Sequence, residues 1–181
     1  PGTQLEAARL KAEKVLEQTG ETLAIASEGS FAPHPSFPAI PRNRELVVLI
    51  DRQNDLEIVG QEVSTETNYN HATIHSFAEA LQFARKVGFP THGLVVMVHP
   101  STRDGTEIFK GITAEAQLEA AVRAAMERST NSSIHIETDM RAHQNPTRMG
   151  VIARATLNLI QALQRACPVC STPGLQLVEH R

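Results

Sequence analysis

Residues Ile134–Arg148, IHIETDMRAHQNPTR, crowd ionisable and hydrogen-bonding side chains into one short stretch. Ile134–Thr138 alternates apolar and polar positions, the pattern of a strand with one buried face. Asp139, Arg141, His143, Asn145 and Arg148 then follow within ten residues, before a helical pattern begins. A junction between strand and helix is where α/β folds hold their ligands. Arg141 and Arg148 carry forked planar donors that suit a phosphate or a planar heterocycle. Glu137 and Asp139 alternate, so both are expected to point one way and to reach one metal ion or one proton. His143 can donate to a ligand or act as an acid. The competing reading is an arginine–carboxylate network that braces the junction, with Asn145 simply capping the helix.

A second polar stretch, Ser27–Pro35, reads SEGSFAPHP. Glu28 can hold a hard divalent cation or serve as a general base. Gly29 permits a turn with positive φ and close approach of a ligand to the main chain. Ser27 and Ser30 add hydroxyls, and His34 is held between two prolines. Otherwise the stretch is a turn whose serines and glutamate satisfy nearby amides. The two stretches are expected to face each other across one cleft, with Lys11 and Lys110 either reaching a phosphate there or lying on the surface. His71, His75 and Glu79 have the spacing of one helix face. The glutamate that a metalloprotease helix places after its first histidine is missing, so a solvated face is favoured.

Composition narrows the classes. With 181 residues, 41% apolar and 20% charged, the chain can bury the core of an ordinary globular domain. No apolar run reaches the length of a membrane span. A net charge of −3, a single tyrosine and no tryptophan argue against broad nucleic-acid binding. No secretory leader is visible, so a cytoplasmic location is expected. The two cysteines, in Cys167-Pro-Val-Cys170, read as a metal knuckle or a redox pair. Tetrahedral zinc needs four ligands and only His180 follows, so zinc at Cys167 and Cys170 is expected only with ligands from beyond the chain.

Helical spacing predicts helices over Gln4–Gln18, capped by Thr3 and Glu6 and stopped at Gly20, from Asn70 or Thr73 to about Val87, over Ala114–Arg128 and from about Pro146 to Ala166. Strands are expected over Thr22–Ala26, Leu46–Asp51, Leu56–Thr65, Leu94–His99, Glu107–Ile112 and Ile134–Thr138, with a hairpin at Arg52–Asp55 and a bulge at Gly60. Phe31–Asn43, with four prolines, is expected to be a loop. The sum is an α/β fold of three layers, with helices on both faces of a mixed β-sheet that contains the hairpin. Residues 1–166 are expected to form a single domain and 167–181 the start of a truncated zinc-ribbon-like tail.

The elements Ala26–Pro35, Glu66–Tyr69 (ETNY), Gly88–Leu94 (GFPTHGL) and Glu137–Met149 (ETDMRAHQNPTRM) resemble those of a bacterial family known as a domain of unknown function. Its members carry an ASEGSF-G-PHP element, with Gly where this chain has Ala32, start earlier and continue into further Cys-x-x-Cys pairs. The resemblance therefore implies that both ends are trimmed. More distantly, Lys11-Ala12, Glu28-Gly29-Ser30-Phe31, Gly88-Phe89-Pro90 and Arg141-Ala142-His143 follow the order of motifs in the inosine triphosphate pyrophosphatase fold. Here Glu replaces the Asp of the acidic elbow, Tyr-Asp is missing after Phe89, and the Arg and His are reversed. That resemblance implies a Mg²⁺-dependent hydrolase acting on a nucleotide or related phosphate ester. Glu28 with Glu137 or Asp139 would hold the metal and orient water; Lys11, Lys110, Arg141 and Arg148 would neutralise phosphate. His143 or Phe89 would contact the base or sugar, with Ser27, Ser30, His34 and Asn145 completing the binding surface. The alternative is a non-catalytic sensor of a nucleotide or small anion, whose zinc-ribbon tail engages a partner. A homodimer stays open.

Overall fold

The computed structural model describes residues 2–174. In chain order the elements are α1 (Gln4–Thr19), β1 (Leu23–Pro33), β2 (Pro41–Asp51), β3 (Leu56–Ser64), β4 (His71–Ile74), α2 (Phe77–Val87), β5 (Leu94–Met97), β6 (Ile108–Ile112), α3 (Glu115–Arg128), β7 (Ile134–Thr138) and α4 (Pro146–Gln164). The α/β class is as expected. Instead of one mixed sheet, however, the strands form two sheets, and every pairing in both is antiparallel. The 1–166 segment, read from sequence as one domain, falls into two compact units: residues up to Glu66 together with those from Gly150 onward, and Thr67–Met149.

The first unit is ordered β1-β2-β3, and β2 explains its layering. Leu46, Val48 and Ile50 pack with Ala8, Ala12 and Leu16 of α1. Val47 and Leu49, pointing the other way, pack with Ala155, Leu159 and Ala162 of α4. A strand sandwiched between two helices needs apolar residues at every position, which is why LVVLI runs unbroken. Each such side chain contributes roughly 1.5–3 kcal/mol on burial. The capping box of Thr3 and Glu6 opens α1 and Gly20, at φ 73°, closes it, as the spacing predicts.

Three local expectations are corrected here. The β2–β3 register runs without a slip through Val47↔Gly60, so Gly60 is not a bulge. A Cβ there would lie 2.3 Å from the Ala155 carbonyl oxygen and 2.4 Å from the Leu159 amide nitrogen. Glycine is needed because the α4 backbone rests directly on the strand. The 27–35 stretch is not an elbow either: β1 runs on to Pro33, with Gly29 paired to Glu45. The proline-rich loop likewise shrinks to residues 34–40, because prolines are tolerated at the ends of β1 and β2, where the ladder needs no further donor.

The second unit is ordered β4-β7-β5-β6. Its inward residues, among them Leu94, Val96, Ile134 and Ile136, pack against Phe83, Ala84 and Val87 of α2 and Leu118, Val122 and Ala125 of α3. The start of the second helix is also corrected. His71–Ile74 pairs with β7 as a strand, and Ser76, whose hydroxyl accepts from the Glu79 amide at 3.2 Å, is the true cap. His71 and His75 therefore share no helix face. Among the described residues no helix is long and apolar enough to cross a membrane.

Candidate functional site

In the second unit the polar junction is organised by Asp139. Its carboxylate is 2% exposed and accepts from the Gly111 amide at 3.0 Å and from the Arg141 amide at 3.1 Å. The Arg141 guanidinium grips the same group through Nε at 3.0 Å and Nη2 at 2.6 Å. The Asp139 amide donates to the Gly93 carbonyl at 2.8 Å, so the knot ties β5, β6 and the end of β7 together. Burial pushes the carboxyl's pKa up, but the hydrogen bonds and charge of Arg141, with the Gly111 amide, outweigh it and hold the group below the usual carboxylate range. Gly111 sits at φ 70°, and a Cβ there would lie 3.0 Å from Arg141 Nη2. Lys110 precedes it and is exposed, as are Arg141 and His143.

Glu137 and Asp139, which strand alternation pairs, have different partners in the structure. β7 ends at Thr138, and beyond it the chain turns. Glu137 lies 3.5 Å from His135 Nε2, whereas Asp139 is taken by Arg141 and Gly111. Asn145 is fully buried: its Oδ1 accepts from the Arg148 amide at 3.0 Å, making it the cap of α4, and its Nδ2 donates to Asn68 Oδ1 at 2.8 Å. The Arg148 guanidinium donates to the Met140 carbonyl. Phe89 packs against the unit's apolar core. In this unit the structure thus brings Asp139 and Arg141 together against the Gly111 main chain, which follows Lys110, and uses Asn145 and Phe89 to hold the surrounding chain.

In the first unit, Lys11 and Glu28 meet although they are 17 positions apart, because α1 packs along β1. Lys11 Nζ donates to the Glu28 carboxylate and, at 3.3 Å, to the Ser27 carbonyl. Gln4 stitches the same edge, donating to the Glu28 carbonyl at 2.6 Å and accepting from Ser30 Oγ at 3.3 Å. His34 closes the β1–β2 connection: its amide donates to the Ile40 carbonyl at 2.8 Å and its Nδ1 accepts from the Ser36 amide at 3.2 Å. The two polar stretches of the sequence therefore belong to different units, residues 27–35 to the first and 137–148 to the second.

Sequence reasoning passed over His135, Asn43 and the Gly93 and Gly111 main chains. His135 and His71 stack at 5.5 Å between ring centres, with Tyr69 at 6.1 Å from His71. The alternation of His135 with Glu137 was the available signal, but β4 had to be seen as a strand to add His71. The Gly93 and Gly111 main chains carry no side-chain signature at all. Asn43 is fully buried on β2, and both of its side-chain polar atoms lack a hydrogen-bond partner.

Among the described residues there is no group of three or more His, Cys, Asp or Glu that could hold a metal ion. Cys167 is half-buried and Cys170 exposed, and hydrogen bonding with Thr172 and Cys167 draws the Cys170 thiol below its ordinary pKa. His180 lies outside the described residues.

The arrangement is that of an α/β protein with two antiparallel sheets and a buried aspartate–arginine knot. Residues 11–181 match the family described as Domain of unknown function (DUF6671), and the chain belongs to that family. No curated protein and no solved structure matches the chain.

Proposed function

We propose that the protein binds a small phosphorylated ligand, a nucleotide or related phosphate ester, through Arg141, and hydrolyses it with a divalent metal such as Mg²⁺. The observation that carries this reading is how Arg141 is held. Asp139 takes its Nε and Nη2, while the side chain stays 45% exposed. A guanidinium fixed along one edge presents its remaining donors to an anion with less ordering left to lose. Lys110, next to the Gly111 amide that binds the same aspartate, adds positive charge, and His143 is exposed on the same turn. For catalysis, Glu137 of the same unit is the preferred metal ligand, since Mg²⁺ is commonly held by one or two carboxylates with its remaining positions filled by water and phosphate. Asp139 is a poorer ligand because donors already occupy both oxygens.

A specific observation favours a second reading, a sensor that binds without turnover. Two of the carboxylates that the sequence offers as metal ligands are engaged by cations, Glu28 by Lys11 and Asp139 by Arg141. One experiment separates the two. A panel of nucleoside triphosphates with Mg²⁺ is scored for phosphate and pyrophosphate release and, in parallel, for a shift in Tm. Turnover abolished by Glu137→Gln supports hydrolysis. Stabilisation without turnover, lost in Arg141→Ala, supports the sensor. Neither turnover nor a shift with any member of the panel overturns both.

A further inference from the structure

Cys167 and Cys170 take no part in either reading, yet the turn that carries them is closely fixed. The Ser171 amide donates to the Cys167 carbonyl at 2.8 Å, and the Cys167 amide donates to the Thr172 carbonyl at 2.8 Å. Ser171 accommodates this closure at a left-handed φ of 59°. Two ties fasten the turn to the end of α4: Ala166 bridges to Pro173, and the Gly174 amide donates to the Ala162 carbonyl at 3.1 Å. The result is two thiols three residues apart on one held loop, Cys170 exposed and Cys167 half-buried. That asymmetry suits a pair in which the outer sulfur meets a substrate and the inner one follows.

Two features give the outer sulfur something to do. Cys170 Sγ donates to Thr172 Oγ1 at 3.2 Å, and a hydroxyl can rotate to donate to the sulfur once the proton has left. Cys170 also lines a cleft of about 580 Å³, together with the apolar Leu56, Leu163 and Pro173 and the polar Asp51 and Asn54. That volume is within the range of small-molecule sites.

We propose that Cys170 and Cys167 form a dithiol–disulfide couple that exchanges with a low-molecular-weight disulfide seated in this cleft. Cys170 loses its proton and attacks one sulfur of the substrate. The substrate S–S bond breaks, and the departing thiolate takes up a proton. Cys167 then loses its proton and attacks Cys170 Sγ, expelling the second substrate thiol and closing the Cys167–Cys170 disulfide. One disulfide is reduced to two thiols while two cysteines are oxidised to one disulfide, so electrons and protons balance.

The test uses the reduced full chain and oxidised glutathione, followed by intact mass and thiol titration, with circular dichroism confirming that each variant is folded. The wild type is expected to lose both thiols and two hydrogens without keeping an adduct. Cys167→Ser is expected to accumulate one glutathione on Cys170, and Cys170→Ser to react several-fold more slowly. The rate is expected to saturate with glutathione disulfide; a strictly linear dependence would remove the cleft from the proposal. Unreactive thiols, faster reaction at Cys167 than at Cys170, or stoichiometric zinc uptake that shields both thiols would each overturn it.

Discussion

Asp139–Arg141 in the second unit and Glu28–Lys11 in the first are the same chemistry in two settings. Each joins a carboxylate to a cation next to a strand. Asp139 is 2% exposed and is further bound by two backbone amides, whereas the Glu28 and Lys11 side chains are 27% and 56% exposed. The first pair cannot be loosened without stranding a buried charge; the second can exchange its partner for water or a ligand at little cost. Burial therefore separates what holds the fold from what is free to act. Arg141 stands on the border, since one edge is fixed by the buried aspartate and the rest is open.

The largest effect expected from breaking this contrast is at Asp139. Asp139→Ala removes the acceptor of both the Gly111 and the Arg141 amides, each costing about 1–3 kcal/mol when left unmet, so unfolding in urea should show a loss of about 3 kcal/mol or more. A loss under about 1 kcal/mol would place the aspartate with the exposed pairs. The same group sets an acid limit. Its folded pKa lies below the unfolded value of about 3.9, so its contribution is complete above that pH and disappears as pH falls through the folded value. Urea midpoints measured on either side of about pH 4 should therefore fall more steeply in the wild type than in Asp139→Asn. Next in size is Gly60→Ala, a purely steric control with no charge involved. Its Cβ would strike helix backbone at 2.3 Å, and a loss of about 1–3 kcal/mol is expected by thermal unfolding.

How much of this was legible depended on where the forces act. The helices and the β2–β3 hairpin follow from local capping and periodicity, so Thr3, Gly20 and the LVVLI run placed them. β4 did not, because a four-residue strand is stabilised by its pairing with β7, a partner 60 positions away at Ile74↔Ile134 and 66 at His71↔Glu137. Prolines hid the length of β1 and β2, since their positions at strand ends resemble a loop until the pairing is known. The candidate residues were chosen by side-chain type, which found Lys11, Glu28, Asp139 and Arg141. Their partners were less visible. The meeting of Lys11 with Glu28 requires α1 to lie along β1, and half of the Asp139 knot is main chain from Gly111 and Gly93. The split into two sheets had no signature in periodicity, because strands of either sheet alternate alike.

The smallest expected effect on stability is at the exposed pair, and it decides the functional side of the comparison. Glu28→Gln and Lys11→Met should each change stability by less than about 1 kcal/mol, because solvent screens the pair and both side chains gain freedom when it breaks. Gln4 holds the neighbouring main chain through the Glu28 and Arg44 carbonyls, at 2.6 and 2.9 Å, so β1 keeps its edge in either variant. If phosphate release or ligand-induced stabilisation is lost in Glu28→Gln while unfolding hardly moves, the exposed pair is functional. A stability loss of about 2 kcal/mol or more would instead make Glu28–Lys11 a brace between α1 and β1.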